Sequence, residues 1–180
     1  MKKKLRKKLL TKRKQNYFEI SFDQIISISK LIKKKYKHIK AIGGYIPINF
    51  EYDCLTLLKF LEVKNYNICL PVIKKNFQMD FYKYTFLDPL KINNLGIPEP
   101  IKLKKIKPFT LVIPIVAFDA ELNRLGYGGG FYDRFISKIE KTKKILKIGL
   151  AFSCQKIKKV PTNRFDKKMN YILTENKVYK

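Results

Sequence analysis

The sequence predicts an α/β layered domain built on a mainly parallel sheet. Residues 111–118 read LVIPIVAF, a continuous apolar run of the kind that forms a strand buried on both faces. Runs of this type alternate with stretches whose apolar residues recur at helical spacing, and helices interleaved with buried strands imply a sheet covered by helices. Size and composition agree. The 180 residues, 46% hydrophobic and 13% aromatic, fit one domain over 1–180 with enough apolar material for a core. They exclude a wholly disordered chain.

The elements follow in order. Residues 1–14 place Leu5, Leu9 and Leu10 on one helical stripe among basic neighbours. A second helix begins near Ser21, with Phe22, Ile25, Ile26, Ile28, Leu31 and Ile32 on a broad apolar face. Ser21 is the expected N-cap, and Gln24 stands at its capping-box position. Residues 39–48, IKAIGGYIPI, read as a strand that ends in a Gly/Pro turn. Residues 53–61 carry Leu55, Leu57, Leu58 and Leu61 and form a short helix. Residues 67–73 read as a strand closed by Pro71, and 79–86 as a loosely alternating strand. The Pro- and Lys-rich residues 88–108 read as a connecting loop. After the 111–118 strand come a helix over 131–141 and closing strands over 147–152 and 171–175. There is no internal repeat and no linker.

Forty Lys+Arg against 14 Asp+Glu give a net charge of +26. The excess is densest in the first 40 residues yet runs along the whole chain, and only Arg6, Arg13, Arg124, Arg134 and Arg164 are arginines. That diffuse pattern reads as a lysine-rich coding bias. It favours anionic partners and non-specific nucleic-acid binding in dilute salt. A basic nucleic-acid-binding module working through the N-terminal helix is the alternative to an enzyme, although no RNA or DNA motif is present. No run approaches the ~18 apolar residues of a membrane span, and no apolar segment follows the basic N-terminus. The expectation is a cytoplasmic chain without a membrane partner, and a monomer. Cys54, Cys69 and Cys154 have no CxxC or CxxH spacing, so they read as reduced, mostly buried thiols. The single histidine, His38, lies in a basic run and reads as a surface or helix-end residue.

Chemistry concentrates in residues 111–135, LVIPIVAFDAELNRLGYGGGFYDRF. A buried strand leads through a turn to Gly126, Gly128, Gly129 and Gly130, and then to a helix starting near Phe131. Glycines let backbone N–H groups approach a ligand, and a helix N-terminus favours bound phosphate. Arg124 supplies a cation at the entry. Asp133, in the first helical turn, either caps the helix or holds magnesium, the hard cation that travels with nucleotide phosphates. The P-loop pattern and the dinucleotide fingerprint are both absent. On the glycines alone, a plain strand–helix turn is an equal reading. Arg, four Gly, an aromatic pair, Asp and Arg in eleven residues are far more specific.

RLGYGGGFYDRF, preceded by VIPIVAFD, resembles the signature of the 5-formyltetrahydrofolate cyclo-ligase family. KKKLRKKLLTKR, YIPINFE, CLPVI, IPEP, IGLAFSCQ, VPTNRFD and ILTE fall in that family's order, over nearly the whole chain. The resemblance implies a three-layer α/β/α sandwich, Rossmann-like in character. It implies conversion of 5-formyltetrahydrofolate to 5,10-methenyltetrahydrofolate with ATP and Mg2+, releasing ADP and phosphate. It also implies roles by position. Lys2 and Arg6 contact the ATP phosphates. Arg124, Leu125, Gly126, Tyr127, Gly128, Gly129, Gly130, Phe131 and Tyr132 form the nucleotide loop, of which residues 127–131 also border the folate. Arg124, Tyr132 and Asp133 serve the chemistry, and Asp133 and Asp166 lie at the metal. Ile46 and Glu51 face the pterin, whose N–H donors suit a buried carboxylate. Without the resemblance, Glu51 reads as a charge at the start of the 53–61 helix. Lys3, Lys4, Lys7 and Lys8 read as a solvated face. Gly129 stands where several relatives carry Lys, Phe131 where Tyr is common, and Phe165 where a polar residue is frequent. Arg124→Ala and Asp133→Ala are expected to lower turnover by orders of magnitude in a folded chain, both groups being reachable from the surface.

Overall fold

The computed structural model describes residues 2–19, 21–35, 41–101 and 104–180. Along the chain it forms α1 (Lys2–Gln15), α2 (Phe22–Lys35), β1 (Ala41–Gly43), α3 (Leu55–Val63), β2 (Asn67–Lys74) and β3 (Gln78–Tyr84). Then come β4 (Leu90–Ile92), β5 (Pro98–Pro100), β6 (Thr110–Pro114), β7 (Ala117–Phe118), β8 (Arg124–Leu125) and α4 (Phe131–Ile139). β9 (Leu146–Leu150), a 3-10 turn (Ser153–Gln155), β10 (Tyr171–Leu173) and β11 (Val178–Tyr179) complete it.

Seven strands make one sheet in the order β11-β10-β9-β6-β1-β2-β3. From β10 to β2 every pairing is parallel, and β3 and β11 add antiparallel edges. Period-two alternation sends side chains to two separate cores. Ile42, Ile68, Leu70, Val112 and Ile148 meet Ile25, Ile28 and Ile32 of α2 and Leu57, Leu58 and Leu61 of α3. Cys69, Leu111, Ile113 and Ile172 face the other way, onto Phe135, Ile136 and Ile139 of α4. The result is the expected α/β/α sandwich. α1 lies apart from both cores, with Leu9 packed on Val116, Ala117, Leu125 and Val160 beyond the end of β6.

The chain order decides where a ligand can bind. From β1 the chain moves through α3 to β2 on one side, while β6 pairs on the other and leads through α4 to β9. The sheet reverses its winding between β1 and β6. In open α/β sheets the ligand crevice opens beyond the carboxyl ends of the strands at such a switch point.

Several elements differ from their sequence reading, each for a local reason. β2 runs through Pro71 instead of stopping there. Cys69 turns its carbonyl to the Gly44 N–H on the β1 side, so Pro71, two residues on, lacks its N–H beyond the end of β1. Residues 88–108 contain the β4–β5 hairpin, pinned at its turn by Asn93, whose Oδ1 accepts from Leu95 and Ile97. The 111–118 run is two strands, β6 and β7, separated after Pro114. Only Ala41–Gly43 of the 39–48 run pairs as a strand, and Ile39 and Lys40 lie outside the described residues, as does His38. The Ser21 cap is present as a reciprocal pair. The Gln24 N–H donates to Ser21 Oγ at 3.4 Å, and the Ser21 N–H donates to Gln24 Oε1 at 3.1 Å. Cys54 and Cys69 are buried free thiols and Cys154 is half-buried.

Candidate active site

A cleft of about 1080 Å³ opens at the switch point. Tyr45, Ile46, Ile48 and Glu51 enter it from the segment after β1, and Pro114 from the end of β6. Its two ends differ in chemistry. Ile46, Ile48, Pro71, Ile73 and Met79, with Leu95, Ile97 and Pro98 from the β4–β5 hairpin, make one end apolar. Lys2, Arg6, Arg124, the glycine loop, Lys138 and Lys141 make the other basic.

The glycine loop occupies the β8–α4 junction. Gly128 and Gly130 have φ of 107° and 66°, left-handed values that L side chains rarely adopt. The Arg6 guanidinium lies close over the loop, 3.0 Å from where a Cβ on Gly128 would stand. α1 reaches the loop from outside, and Arg6 Nε donates to the Gly126 carbonyl at 2.8 Å. Arg134, one turn into α4, donates to the carbonyls of Gly129 and, at 3.0 Å, Phe77. Its guanidinium stacks on the Phe77 and Phe131 rings. Gly130 caps α4 with no side-chain hydrogen bond, and Phe131, Tyr132 and Asp133 of its first turn line the cleft, so the helix begins at the cleft wall, where an anion is favoured.

Arg124 is buried, contrary to the expectation of a surface-reachable group. Its side chain is 5% exposed, and Nη2 pairs with Asp133 Oδ1 at 2.9 Å while Nη1 donates to the Lys167 carbonyl at 2.7 Å. The Lys167 N–H also donates to Asp133 Oδ1, at 3.0 Å. Asp133 therefore fastens Arg124 and the 163–168 segment, and it forms no cap on α4. All its bonds fall on one oxygen, so Oδ2 has no partner among the described residues. Asp166 is similar, because Oδ2 accepts from Lys2 Nζ at 3.3 Å and from the Asn163 N–H at 2.7 Å, while Oδ1 accepts from none of the described residues.

Two unpartnered carboxylate oxygens beside the glycine loop are of the type that magnesium takes. That ion takes one or two carboxylates and completes its shell with water and phosphate oxygens. Among the described residues no group of three or more His, Cys, Asp or Glu side chains is arranged to hold a metal, so a cage made of protein ligands alone is not the pattern here.

At the apolar end Glu51 is 4% exposed. It is not the helix charge that a residue-only reading offers, since Asp53 Oδ1 takes the Leu55 N–H while Glu51 folds back and accepts from the Ile48 N–H at 2.9 Å. Its other oxygen, Oε1, is buried with no hydrogen-bond partner among the described residues, as is Tyr132 Oη. Burial pushes the Glu51 carboxyl above the usual carboxylate range, against the pull of the Ile48 N–H, the Arg13 cation and the Tyr127 hydroxyl. Burial also raises the Tyr127 phenol to about 12 and holds Tyr132 well above the ordinary phenol value, so both are un-ionised donors.

The residues expected at one site thus line one cleft, from Lys2 and Arg6 through 124–133 to Asp166, with Ile46 and Glu51 opposite. A model of the 5-formyltetrahydrofolate cyclo-ligase family matches residues 1–175. The chain belongs to that family. Members of the 5-formyltetrahydrofolate cyclo-ligase family are enzymes, and curated relatives from several organisms bear its name. The Haemophilus influenzae protein is 35% identical over 138 residues, covering 72% of this chain and 73% of its own. The Escherichia coli K12 protein is 30% identical over 145 residues, covering 77% and 79%. The fold matches the solved structure of Aquifex aeolicus 5,10-methenyltetrahydrofolate synthetase with a TM-score of 0.75 and 30% identity, covering 99% of this chain and 92% of that one.

Sequence reasoning misses part of this cleft and one residue behind it. The β4–β5 residues were hidden in a segment read as a loop. Arg13 was hidden in a lysine-rich helix, although an arginine in a chain so biased toward lysine was a usable signal.

Proposed function

We propose that the chain converts 5-formyltetrahydrofolate to 5,10-methenyltetrahydrofolate, consuming ATP and releasing ADP and inorganic phosphate. The observation that carries this reading is the pairing of a phosphate cradle with a buried, half-unpartnered carboxylate in one cleft. Glu51 Oε1 is an acceptor set in an apolar pocket, the complement of a flat heterocycle with N–H donors. Ile46 and the other apolar lining residues cover the ring faces. Gly126 to Phe131 and the start of α4 receive the triphosphate, and Lys2 and Arg6 neutralise it from α1.

The formyl oxygen is a poor leaving group. It takes the γ-phosphoryl group and ADP departs; N10 closes on the formyl carbon, the C–O bond breaks, and the N10 proton leaves as phosphate is released. The work of the protein is alignment and charge neutralisation. Tyr132, un-ionised and buried, has its O–H proton available to an oxygen in the cleft. Arg124 fixes Asp133 so that Oδ2 faces away from their ion pair. Asp133 and Asp166 would hold Mg2+, which when bound neutralises charge on the phosphates.

The test is absorbance at the methenyl-folate band after purified protein, 5-formyltetrahydrofolate, ATP and magnesium are mixed. A rise that needs all three small molecules is expected. A folded protein that binds ATP yet gives no rise would mean the cradle serves another acceptor.

A further inference from the structure

We propose that Arg13 is a positioning residue that locks the Glu51 turn to the glycine loop, so that one guanidinium sets the two ends of the cleft in register. The proposal rests on the reaction proposed above. Arg13 projects from the last turn of α1 and is 1% exposed. It does not reach solvent and it is not among the residues lining the cleft. It lies behind the cleft wall, and its two Nη groups reach three separate segments, while Nε is buried with no partner among the described residues. Nη1 donates to the Ile115 carbonyl, just past β6, at 3.2 Å. Nη2 donates to the Asn49 carbonyl at 2.7 Å and to Tyr127 Oη at 2.6 Å.

Each contact bears on a site group. Asn49 and Phe50 hold φ of 50° and 62°, two consecutive non-glycine residues in the left-handed region. Such backbone persists only where its surroundings over-determine it. The Arg13–Asn49 bond is one such constraint, and the turn it holds delivers Glu51. Tyr127 belongs to the glycine loop. Having accepted from Arg13, its hydroxyl lies near Glu51 and helps to hold that carboxyl down. The chain of contacts therefore runs from glycine loop to guanidinium to the Asn49 turn that carries the pterin-side carboxylate. A buried guanidinium carries a desolvation cost that an apolar side chain at this helix position would not. Lysine could not replace it, because a point charge on a flexible stem cannot hold three divergent acceptors as a planar fork does.

The charge matters in a second way. The titratable groups facing Glu51 are Arg13 from α1, Tyr45 and Cys54 flanking its own turn, Tyr127 of the loop and Tyr132 of α4. Arg13 is the cation in that set. Removing it raises the Glu51 carboxyl further and moves the acid limb of kcat/KM for the folate to higher pH.

The experiment compares Arg13→Gln, Arg13→Lys and Tyr127→Phe with wild type in the methenyl assay, with folate KM, kcat and pH profiles for each. Arg13→Gln should raise the folate KM about tenfold or more, lower kcat, and shift the acid limb upward. Arg13→Lys should restore the acid limb yet keep the KM several-fold high, on the order of fivefold. Tyr127→Phe should raise KM about threefold to tenfold, and the Arg13→Gln/Tyr127→Phe double variant should be no worse than Arg13→Gln alone. If Arg13→Gln does not fold, as its thermal melt would show, the lysine and phenylalanine variants decide. Wild-type KM and an unmoved acid limb in the folded variants would overturn this inference alone. A wild-type chain that makes no product would overturn the proposed reaction and this inference together.

Discussion

Leaving Glu51 Oε1 buried without a partner costs the ligand-free chain about 1–3 kcal/mol, because its hydration is lost and nothing replaces it. Glu51→Gln removes the charge that makes this burial costly. The variant should therefore melt no lower than wild type, while its folate KM rises on the order of tenfold to a hundredfold through the lost charge-assisted bond. Calorimetric melts with and without folate would show both effects. A lower melting point together with an unchanged KM would make Glu51 a structural residue. Asp133 poses the opposite case, since deleting it strands a buried guanidinium at a cost of about 3–5 kcal/mol. Asp133→Asn is the informative variant. It keeps an oxygen for Arg124 and the Lys167 N–H, and it should lose turnover by orders of magnitude with a smaller stability loss, read from kcat and a melt side by side. At this scale the motif residues were legible because their types are unusual for their setting. The burial of Arg124 was not, because burial depends on the 163–168 segment, more than thirty residues away in sequence.

The β7–β8 hairpin shows what an element contributes. Asp119 accepts from the N–H groups of Glu121, Asn123 and Val160 and from Asn123 Nδ2, at 2.9–3.1 Å. It thus fixes the turn that carries β8 to the glycine loop and ties it to the 160 region. Burial alone would raise its carboxyl, but these donors outweigh that, led by Val160, and hold it below the usual range. A native-state carboxyl lower than in the unfolded chain adds stability above the unfolded value, and loses it as pH falls through the native one. Asp119→Ala should cost about 3 kcal/mol at neutral pH. The gap between variant and wild type should narrow only in strongly acidic melts, and a constant gap would contradict the assignment. Helices were the most legible elements, since Ser21 and Gln24 announce a start and the isoleucines announce a face. Strands with proline were misjudged because the missing N–H matters only on the side where a partner continues. The sequence does not print where β1 ends.

Across the whole molecule, the basic excess and the site are different things. Lys3, Lys4, Lys7 and Lys8 are exposed, whereas Lys2 and Arg6 on the same helix turn toward the cleft. Binding to a DNA duplex should be measurable in dilute salt and fall steeply toward physiological ionic strength. Lys3→Ala should weaken it slightly and leave turnover unchanged, and a large loss of turnover would reopen a nucleic-acid role. The parallel sheet itself was legible from alternating helical and apolar runs. The placement of its switch point was not, because winding order is a property of the assembled sheet. The sheet brings Lys2 onto Asp166, Arg6 onto Gly126 and Arg13 onto Tyr127, partners separated by 164, 120 and 114 positions. A polypeptide emerging from the ribosome makes α1 before these partners, so the helix must wait, unclasped, until the chain has grown past Asp166. Catalytic competence is then a late event of folding rather than an early one. Pulse-labelled amide exchange should find α1 protected only after the β6–β9 region, and a nascent chain halted before residue 166 should already pair β1, β2, β3, β6 and β9 yet turn over nothing.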